Sequence, residues 1–411
     1  MKTIVFKIGK FPLVSETFVI NQILIAMALK FHVKVLVNNL ADFEMSRQGA
    51  ILRKYKIDQK IILQDYQIPK SKFNRLFKAI FLCLFHVNEL PYIINYYRTK
   101  KKFSLTYLFE FKFFRQLRKV DIIHVQYGTN SKPIDDLKKS GFFNMPLVVT
   151  FHGHDAFFPI NNLIPKEGYY DKLFEVGDLF TANTPYLKEQ LIIIGCPENN
   201  TVTVPMCIDT EFFYARKTRP LSKTKINLLS VGRLEEIKGH QWGIKIVAIL
   251  ISKGYNVEYT IIGEGSSRRN LELLISKLNL EHKVKLLGAK SQREIREYYW
   301  ASDIFMMTST GVEGNIRETQ GIVTLEAQAC GLPVVAFESG GVKYTITDGI
   351  TGFLVKEKDI QSFSNRIMDL INDPVLYKKV AKNTRGFILD HFSLIRITSK
   401  WKTIYTHLTN S

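Results

Sequence analysis

Short runs rich in Val, Ile, Leu and Phe alternate with longer stretches of helical periodicity from one end of this sequence to the other. In the first half the runs are Thr3–Ile8, Lys34–Asn38, Asp121–Gln126, Leu147–Phe151, Leu179–Ala182 and Thr201–Val204. In the second they are Ile226–Val231, Glu258–Ile262, Val284–Leu287, Ile304–Thr308, Pro333–Phe337 and Phe353–Val355. Most are nearly continuous in apolar residues, as a strand buried on both faces must be, and an amphipathic stretch follows. The pattern predicts an α/β fold of doubly wound parallel sheets, with ligand sites at the carboxyl ends of the strands.

The chain has 411 residues, more than one hydrophobic core usually serves, so two domains are expected. A polar segment, Ala215–Thr224 with Pro220 inside it, separates the two strand series and reads as a linker. It sets the domains at 1–214 and 215–389. The stretch Ser393–Leu408, with Trp401 and Tyr405, has the apolar periodicity of a docked helix.

A hydrophobic share of 46% with 23% charged residues is that of a globular protein. The longest apolar run, Ala79–Phe85, is far short of the ~20 residues that span a bilayer. The N-terminal stretch, interrupted by Lys7 and Lys10, reads as a strand, not a secretory signal. Cys83, Cys196, Cys207 and Cys330 form no C-x-x-C pair and are expected as free thiols in a reducing cytoplasm. The net charge is +19, and between Lys70 and Lys119 twelve Lys/Arg face only Glu89 and Glu110. Aromatic residues are threaded through the same stretch. That combination suits an anionic membrane surface, a solvated basic face or nucleic acid. The absence of a recognition motif disfavours nucleic acid.

The densest polar cluster is Glu313-Gly-Asn-Ile-Arg-Glu318-Thr-Gln-Gly321-Ile322-Val323-Thr-Leu-Glu326, running on to Gly331-Leu-Pro333. A helix beginning near Gly321 would offer its first amides to an anion. Gly321 would let a diphosphate approach the backbone closely. Glu318 in the loop and Glu326 on the first or second turn could accept from sugar or ribose hydroxyls. They could equally be a capping acid and a helix-face acid in salt bridges. Gly232-Arg233-x4-Lys238-Gly239 follows the strand Ile226–Val231 and places two cations where both can reach a pyrophosphate. Taken singly, either cation could be an ordinary surface residue. Gly263-Glu-Gly265 after the next strand fits a tight turn near a nucleotide, or simply a turn.

In the first half, Val149-Thr-Phe-His152-Gly153-His154-Asp155 ends a strand. His152 could contact sugar hydroxyls, relay a proton or be a satisfied core histidine. As a metal pair His-x-His is poor, with no further ligands clustered nearby. Gly9, at the end of the first strand, would keep its loop close to a ligand. Ser15 would cap a helix starting near Thr17, beside Glu16. Gln126 and Tyr127 stand on the same rim as His152.

These motifs resemble glycosyltransferase family 4, of GT-B fold, in the branch that builds exopolysaccharide, capsule or lipopolysaccharide. The resemblance covers nearly the whole chain. It is carried by Glu318-x7-Glu326, Gly232-Arg233-x4-Lys238-Gly239, Thr150-Phe-His152-Gly153-x-Asp155, Phe11-Pro-x-x-Ser15-Glu16-Thr17-Phe18 and Val204-Pro-Met-Cys-Ile-Asp209. It implies two Rossmann-like domains facing a cleft, with the last helix, 390–411, returning to the first domain. It implies that Arg233 and Lys238 bind the donor diphosphate, that Glu326 binds the ribose and that Glu318 touches the donor sugar. The backbone at Gly321, Ile322 and Val323, together with Gly9 and Gly263, would complete the donor site. His152 would lie beside the transferred sugar. Ser15, Glu16, Gln126, Tyr127 and Asp155 would face the acceptor.

Met206-Cys207 at the domain junction, and Glu313-Gly-Asn-Ile where Glu-Gly-Phe-Gly is common, depart from the family pattern. The implied activity is retaining transfer of a hexose-type sugar from a nucleotide diphosphate donor, UDP favoured, to a saccharide or lipid-linked acceptor. Asp-x-Asp is absent, so no metal or other cofactor is expected. The expected location is the cytoplasm, with a peripheral membrane position. Two rivals share these motifs, a nucleotide-sugar 2-epimerase and a non-catalytic nucleotide-sugar-binding subunit.

Overall fold

The structure is a computed structural model and describes residues 1–13, 16–43, 49–160, 164–165, 168–216, 225–312 and 316–410. Its contacts divide the chain into two compact units. Unit one holds Met1–Ala182, Lys188–Thr203 and Lys400–Ser411; unit two holds Asn183–Leu187 and Val204–Ser399. The division thus falls ahead of the polar segment at 215–224, of which 217–224 lie outside the described residues. The side chains explain the difference. Arg385 donates to the carbonyls of Thr210 and Phe213, each at 3.3 Å, and Ile208 bridges to Ser393, so this segment belongs with unit two.

Unit one contains strands β1 (Thr3–Phe11), β2 (His32–Leu40), β3 (Ile61–Leu63), β4 (Ile122–Gln126), β5 (Leu147–Thr150), β6 (Leu179–Ala182) and β7 (Thr201–Thr203). Its helices are α1 (Thr17–Ala28), α2 (Gly49–Lys54), α3 (Lys72–Phe85), α4 (Leu90–Lys100), α5 (Thr106–Phe114), α6 (Ile134–Lys139), α7 (Asp171–Val176) and α8 (Pro185–Ile193), the last shared with unit two. The sheet is parallel throughout, in the order β3-β2-β1-β4-β5-β6-β7. The winding reverses between β1 and β4, where a ligand crevice opens in doubly wound sheets. β1 runs to Phe11, pairing Lys10 with Asn39, so Gly9 lies inside a strand and not in the expected loop. A Cβ at Gly9 would come within 2.7 Å of Asn130 Oδ1, so the Asn130 side chain would have to give way to any larger residue there. Lys7, also in β1, is fully buried and held by Asn38 and Gln64.

The basic aromatic stretch divides into two populations. Tyr96, Phe109, Phe111 and Phe114 are core residues. Phe73, Leu76, Phe77, Ile80, Phe81, Leu84 and Phe85 are exposed along α3, at helical spacing. No single helix among the described residues is long and apolar enough to cross a membrane.

Unit two contains β8 (Ile226–Val231), β9 (Val257–Ile262), β10 (Val284–Leu286), β11 (Ile304–Met307), β12 (Val334–Phe337) and β13 (Gly352–Val355). Its helices are α9 (His240–Ser252), α10 (Arg268–Lys277), α11 (Gln292–Ala301), α12 (Ile322–Ala329), α13 (Ile360–Asn372), α14 (Pro374–His391) and the start of α15 (Leu394–Asn410). This sheet is also parallel, β10-β9-β8-β11-β12-β13, and its winding reverses between β8 and β11. Ile244, Val247 and Leu250 of α9 pack with Phe363 and Ile367 of α13 in one core; Tyr299 of α11 packs with Leu325 and Ala329 of α12 in the other. α11 opens on a full capping box, Ser291 with Glu294.

Candidate active site

The chain leaves β8 at Val231 and reaches Lys238 through a short 3-10 turn, then enters α9 across Gly239 at φ 61°. A Cβ at Gly239 would lie 2.0 Å from the Thr308 carbonyl at the end of β11, so only glycine lets these two loops touch. Thr308 Oγ1 donates to Lys238 O at 3.3 Å, and Thr310 N to Ile237 O at 3.0 Å. Lys238 is thereby fixed beside the chain leaving β11, at the point where the winding reverses.

Its ammonium forms an ion pair with Glu318, both side chains being mostly buried. Burial pushes the Glu318 carboxyl upward, but Lys238 and then Arg233 outweigh it and hold the group below its ordinary 4.5. The carboxylate is ionised at neutral pH. Arg233 is exposed and makes no ion pair among the described residues. Its backbone carbonyl lies 3.2 Å from Nε2 of His240, whose pKa burial lowers to about 4.

After Glu318 the backbone is clamped by a Gly-Gly pair. Gly341 N donates to Glu318 O at 2.7 Å. A Cβ on Gly340 would meet Glu318 O at 2.5 Å, and one on Gly341 would meet Thr319 O at 1.7 Å. The motif reading overlooked Gly340 and Gly341; two adjacent glycines after a buried strand were the available signal. Gln320 is also fixed, its Oε1 accepting from Met206 N at 3.0 Å.

Gly321 caps α12 at φ 77°, with Thr324 Oγ1 donating to its carbonyl at 2.7 Å. The amides of Ile322 and Val323 stand at the first turn, ahead of the helix's own hydrogen-bond ladder. Glu326 follows on the second turn, half-buried, and accepts from the Tyr299 hydroxyl at 2.9 Å. Unit two therefore carries Arg233 and Lys238 on the loop after β8, Glu318 and Gly321 on the loop after β11, and Ile322, Val323 and Glu326 on the first two turns of α12, which that loop enters. Gly263 adjoins them for a backbone reason: a Cβ there would lie 1.9 Å from the Gly232 carbonyl. Glu313, Gly314 and Asn315 lie outside the described residues.

A second cluster sits in unit one, where β1 and β4 end. His152 Nε2 is 2.9 Å from Gln126 Oε1, and its ring lies 4.5 Å from those of both Phe18 and Tyr127. Burial lowers its pKa to about 3, so the imidazole is neutral. The Tyr127 hydroxyl donates to Glu16 at 2.8 Å. Burial, opposed by that bond, raises the Glu16 carboxyl. Glu16 itself is the N-cap residue of α1, without a side-chain capping bond. Ser15, expected in that role and at the acceptor, lies outside the described residues.

Two expectations need correction. Asp155 is fully buried and accepts from the amides of Gly128 (2.8 Å), His152 (3.0 Å) and Gly153 (2.9 Å), so it shapes the His152 loop and does not face an acceptor. Gln126 is buried with both ends of its amide engaged, by His152 and by His124 at 3.2 Å. Burial of polar side chains is not legible in a motif.

The family model described as Glycosyltransferase Family 4 matches residues 74–212, and that described as Glycosyl transferases group 1 matches residues 213–387. The chain is a glycosyltransferase with a family 4 domain followed by a group 1 domain. Among similar proteins, the glycosyltransferase is 28% identical over 384 residues to the amylovoran biosynthesis glycosyltransferase AmsK of Erwinia amylovora, covering 88% of each chain. It is 25% identical over 302 residues to N-acetyl-alpha-D-glucosaminyl L-malate synthase of Bacillus anthracis, covering 71% of this chain and 75% of that one. Its fold matches HepE of Anabaena, solved in complex with UDP, at a TM-score of 0.74 and 20% identity, over 99% of this chain and 100% of that one. The glycosyltransferase has the GT-B fold, as expected.

Proposed function

We propose that this glycosyltransferase moves a hexose-type sugar, with retention, from a UDP-sugar to a saccharide or lipid-linked acceptor in surface polysaccharide synthesis. The observation that carries the reading is the ion-paired Lys238–Glu318 couple beside Arg233 and Gly321 where the unit-two winding reverses, with Glu326 on the second turn of the helix that Gly321 opens. Breaking a glycosyl–phosphate bond leaves positive character on the sugar and negative charge on the departing diphosphate. Arg233, Lys238 and the first turn of α12 take up that negative charge, a stabilisation that usually dominates such catalysis. Glu326 accepts from ribose hydroxyls and Glu318 from the sugar. The two cations serve without a bound divalent ion. His152, neutral, lies beside the transferred sugar. The acceptor attacks the face the diphosphate leaves, with a phosphate oxygen taking its proton.

The choice of UDP is supported by the complex of HepE with UDP, and the polysaccharide role by AmsK, whose name assigns it to amylovoran biosynthesis. A cytoplasmic location at an anionic bilayer is supported by α3, whose exposed apolar stripe is accompanied by the exposed Lys70, Lys72 and Lys78. The test is a panel of nucleotide sugars assayed for nucleotide release with and without membrane lipid extract, in the presence of EDTA. Acceptor-dependent release of UDP, unaffected by EDTA, is the expected result. Epimerised donor without transfer, or no turnover with any donor, would overturn the reading.

A further inference from the structure

The carboxylate assigned to the ribose is held by a buried phenol. Helix α11 opens on its capping box, and its buried Ile295 and Tyr299, one turn apart, pack with Leu325 and Ala329 of α12. The Tyr299 ring is 1% exposed and sits beside Phe213 and Phe305, at centroid distances of 6.1 and 5.8 Å. A ring with two torsions, both fixed by packing, delivers its hydroxyl to one place. That place is Glu326: the hydroxyl oxygen is 2.9 Å from Oε2 and 3.3 Å from the Val323 carbonyl.

A buried phenol has one proton to place, and the Val323 carbonyl alone would satisfy it. The carboxylate is the nearer acceptor and the charged one, so it takes the proton. A hydroxyl within reach of both groups draws the carboxylate back along α12 toward the helix start, where the amides of Ile322 and Val323 stand. A glutamate not held in this way samples several rotamers on a helix face and is ordered only when a ligand arrives, at a cost in affinity. Held at Oε2, the group is an acceptor of fixed position. A carboxylate has about four lone-pair sites, so the bond from Tyr299 leaves capacity for two ribose hydroxyls.

We propose that Tyr299 is a positioning residue for the donor: by holding Glu326 Oε2 it sets that carboxylate for the ribose hydroxyls. It thereby contributes to the preference for a ribonucleotide over a deoxyribonucleotide. The proposal rests on the reading of Glu326 as the ribose contact. Its determinant lies on α11, outside every motif that marks the donor site.

The test is calorimetric titration of UDP and of 2′,3′-dideoxy-UDP into the full-length protein, as wild type, Tyr299→Phe, Glu326→Ala and the double variant. The wild type should prefer UDP by about tenfold or more, since a site built for hydroxyls rejects a ligand without them. Tyr299→Phe should weaken UDP binding by about two- to tenfold, the worth of one hydrogen bond, and leave the dideoxy analogue unchanged. Added to Glu326→Ala, it should weaken UDP no further. In transfer assays the donor KM should rise with kcat unchanged, as for binding shared by the ground and transition states. Equal weakening of both nucleotides, or a loss that adds in the double variant, would give Tyr299 a purely structural role and overturn the proposal. If Tyr299→Phe fails to fold, Tyr299→Met, which keeps an apolar side chain there, undergoes the same titrations with the same expected outcome. A wild type that binds both nucleotides alike would instead remove the ribose from Glu326, and the proposal with it.

Discussion

Lys238 and Glu318, 80 residues apart in sequence, meet as an ion pair in which neither side chain is more than one-fifth exposed. The pair ties the loop after β8 to the loop after β11. An ammonium held by one carboxylate still has further N–H groups to offer, so Lys238 can bind a phosphate without leaving Glu318. Replacing one partner would strand the other charge in a poorly hydrated place.

Lys238→Met should therefore lower kcat/KM for the nucleotide sugar by about 100- to 1,000-fold, the loss usual for one preorganised donor to a developing negative charge. Steady-state kinetics with saturating acceptor check this. A variant within a fewfold of wild type would separate Lys238 from the departing group.

Gly341→Ala should be strongly destabilising. Its Cβ would lie 1.7 Å from the Thr319 carbonyl, which cannot move without shifting Glu318. A loss of about 2–4 kcal/mol is expected, in the class of severe single substitutions, with donor affinity falling alongside. Urea denaturation and UDP titration measure the two effects.

The buried histidines set the acid behaviour. Burial carries the pKa of His124, and of His152, from 6.5 down to about 3. The unfolded chain then binds more protons than the folded one across that interval, so their contribution is complete above pH 6.5 and is lost as pH falls toward 3. Unfolding free energy should decline on acidification over this window, and less steeply in His124→Asn than in wild type. By the same reasoning, kcat/KM should show no histidine limb between about pH 5 and about pH 7.

On α3, Phe73, Phe77, Leu84 and Phe85 are 77%, 58%, 65% and 71% exposed. Vesicle flotation should show binding to anionic vesicles in preference to neutral ones. The double substitution Phe77→Ser with Leu84→Ser should weaken it by about tenfold or more, from the apolar area withdrawn from lipid. Equal binding to both vesicle types would contradict a membrane role.

Strands with a continuous apolar run were legible in the sequence: Leu179–Ala182 and Ile226–Val231 fall where the pattern puts them. β3, three residues at a sheet edge, has no period to detect. β1 extends beyond Ile8 because Lys10 and Phe11 find partners on β2, a tertiary fact. The cations and carboxylates of unit two could be read from their spacing, since glycines and a helix start mark them. The corresponding residues of unit one could not. Whether Asp155 and Gln126 face a ligand or the interior depends on packing, and the contact of Tyr405 with His124 appears only when the last helix is docked against β4. The exposed face of α3 was equally hidden, because its amphipathic spacing is the same whether the apolar side is buried or bare.

The crystal structure of the protein with UDP is the most direct test of the donor site. The diphosphate should lie within hydrogen-bonding distance of Arg233, Lys238 and the first amides of α12, with the ribose on Glu326. A diphosphate bound elsewhere, or these four contacts pointing to separate pockets, would contradict the account.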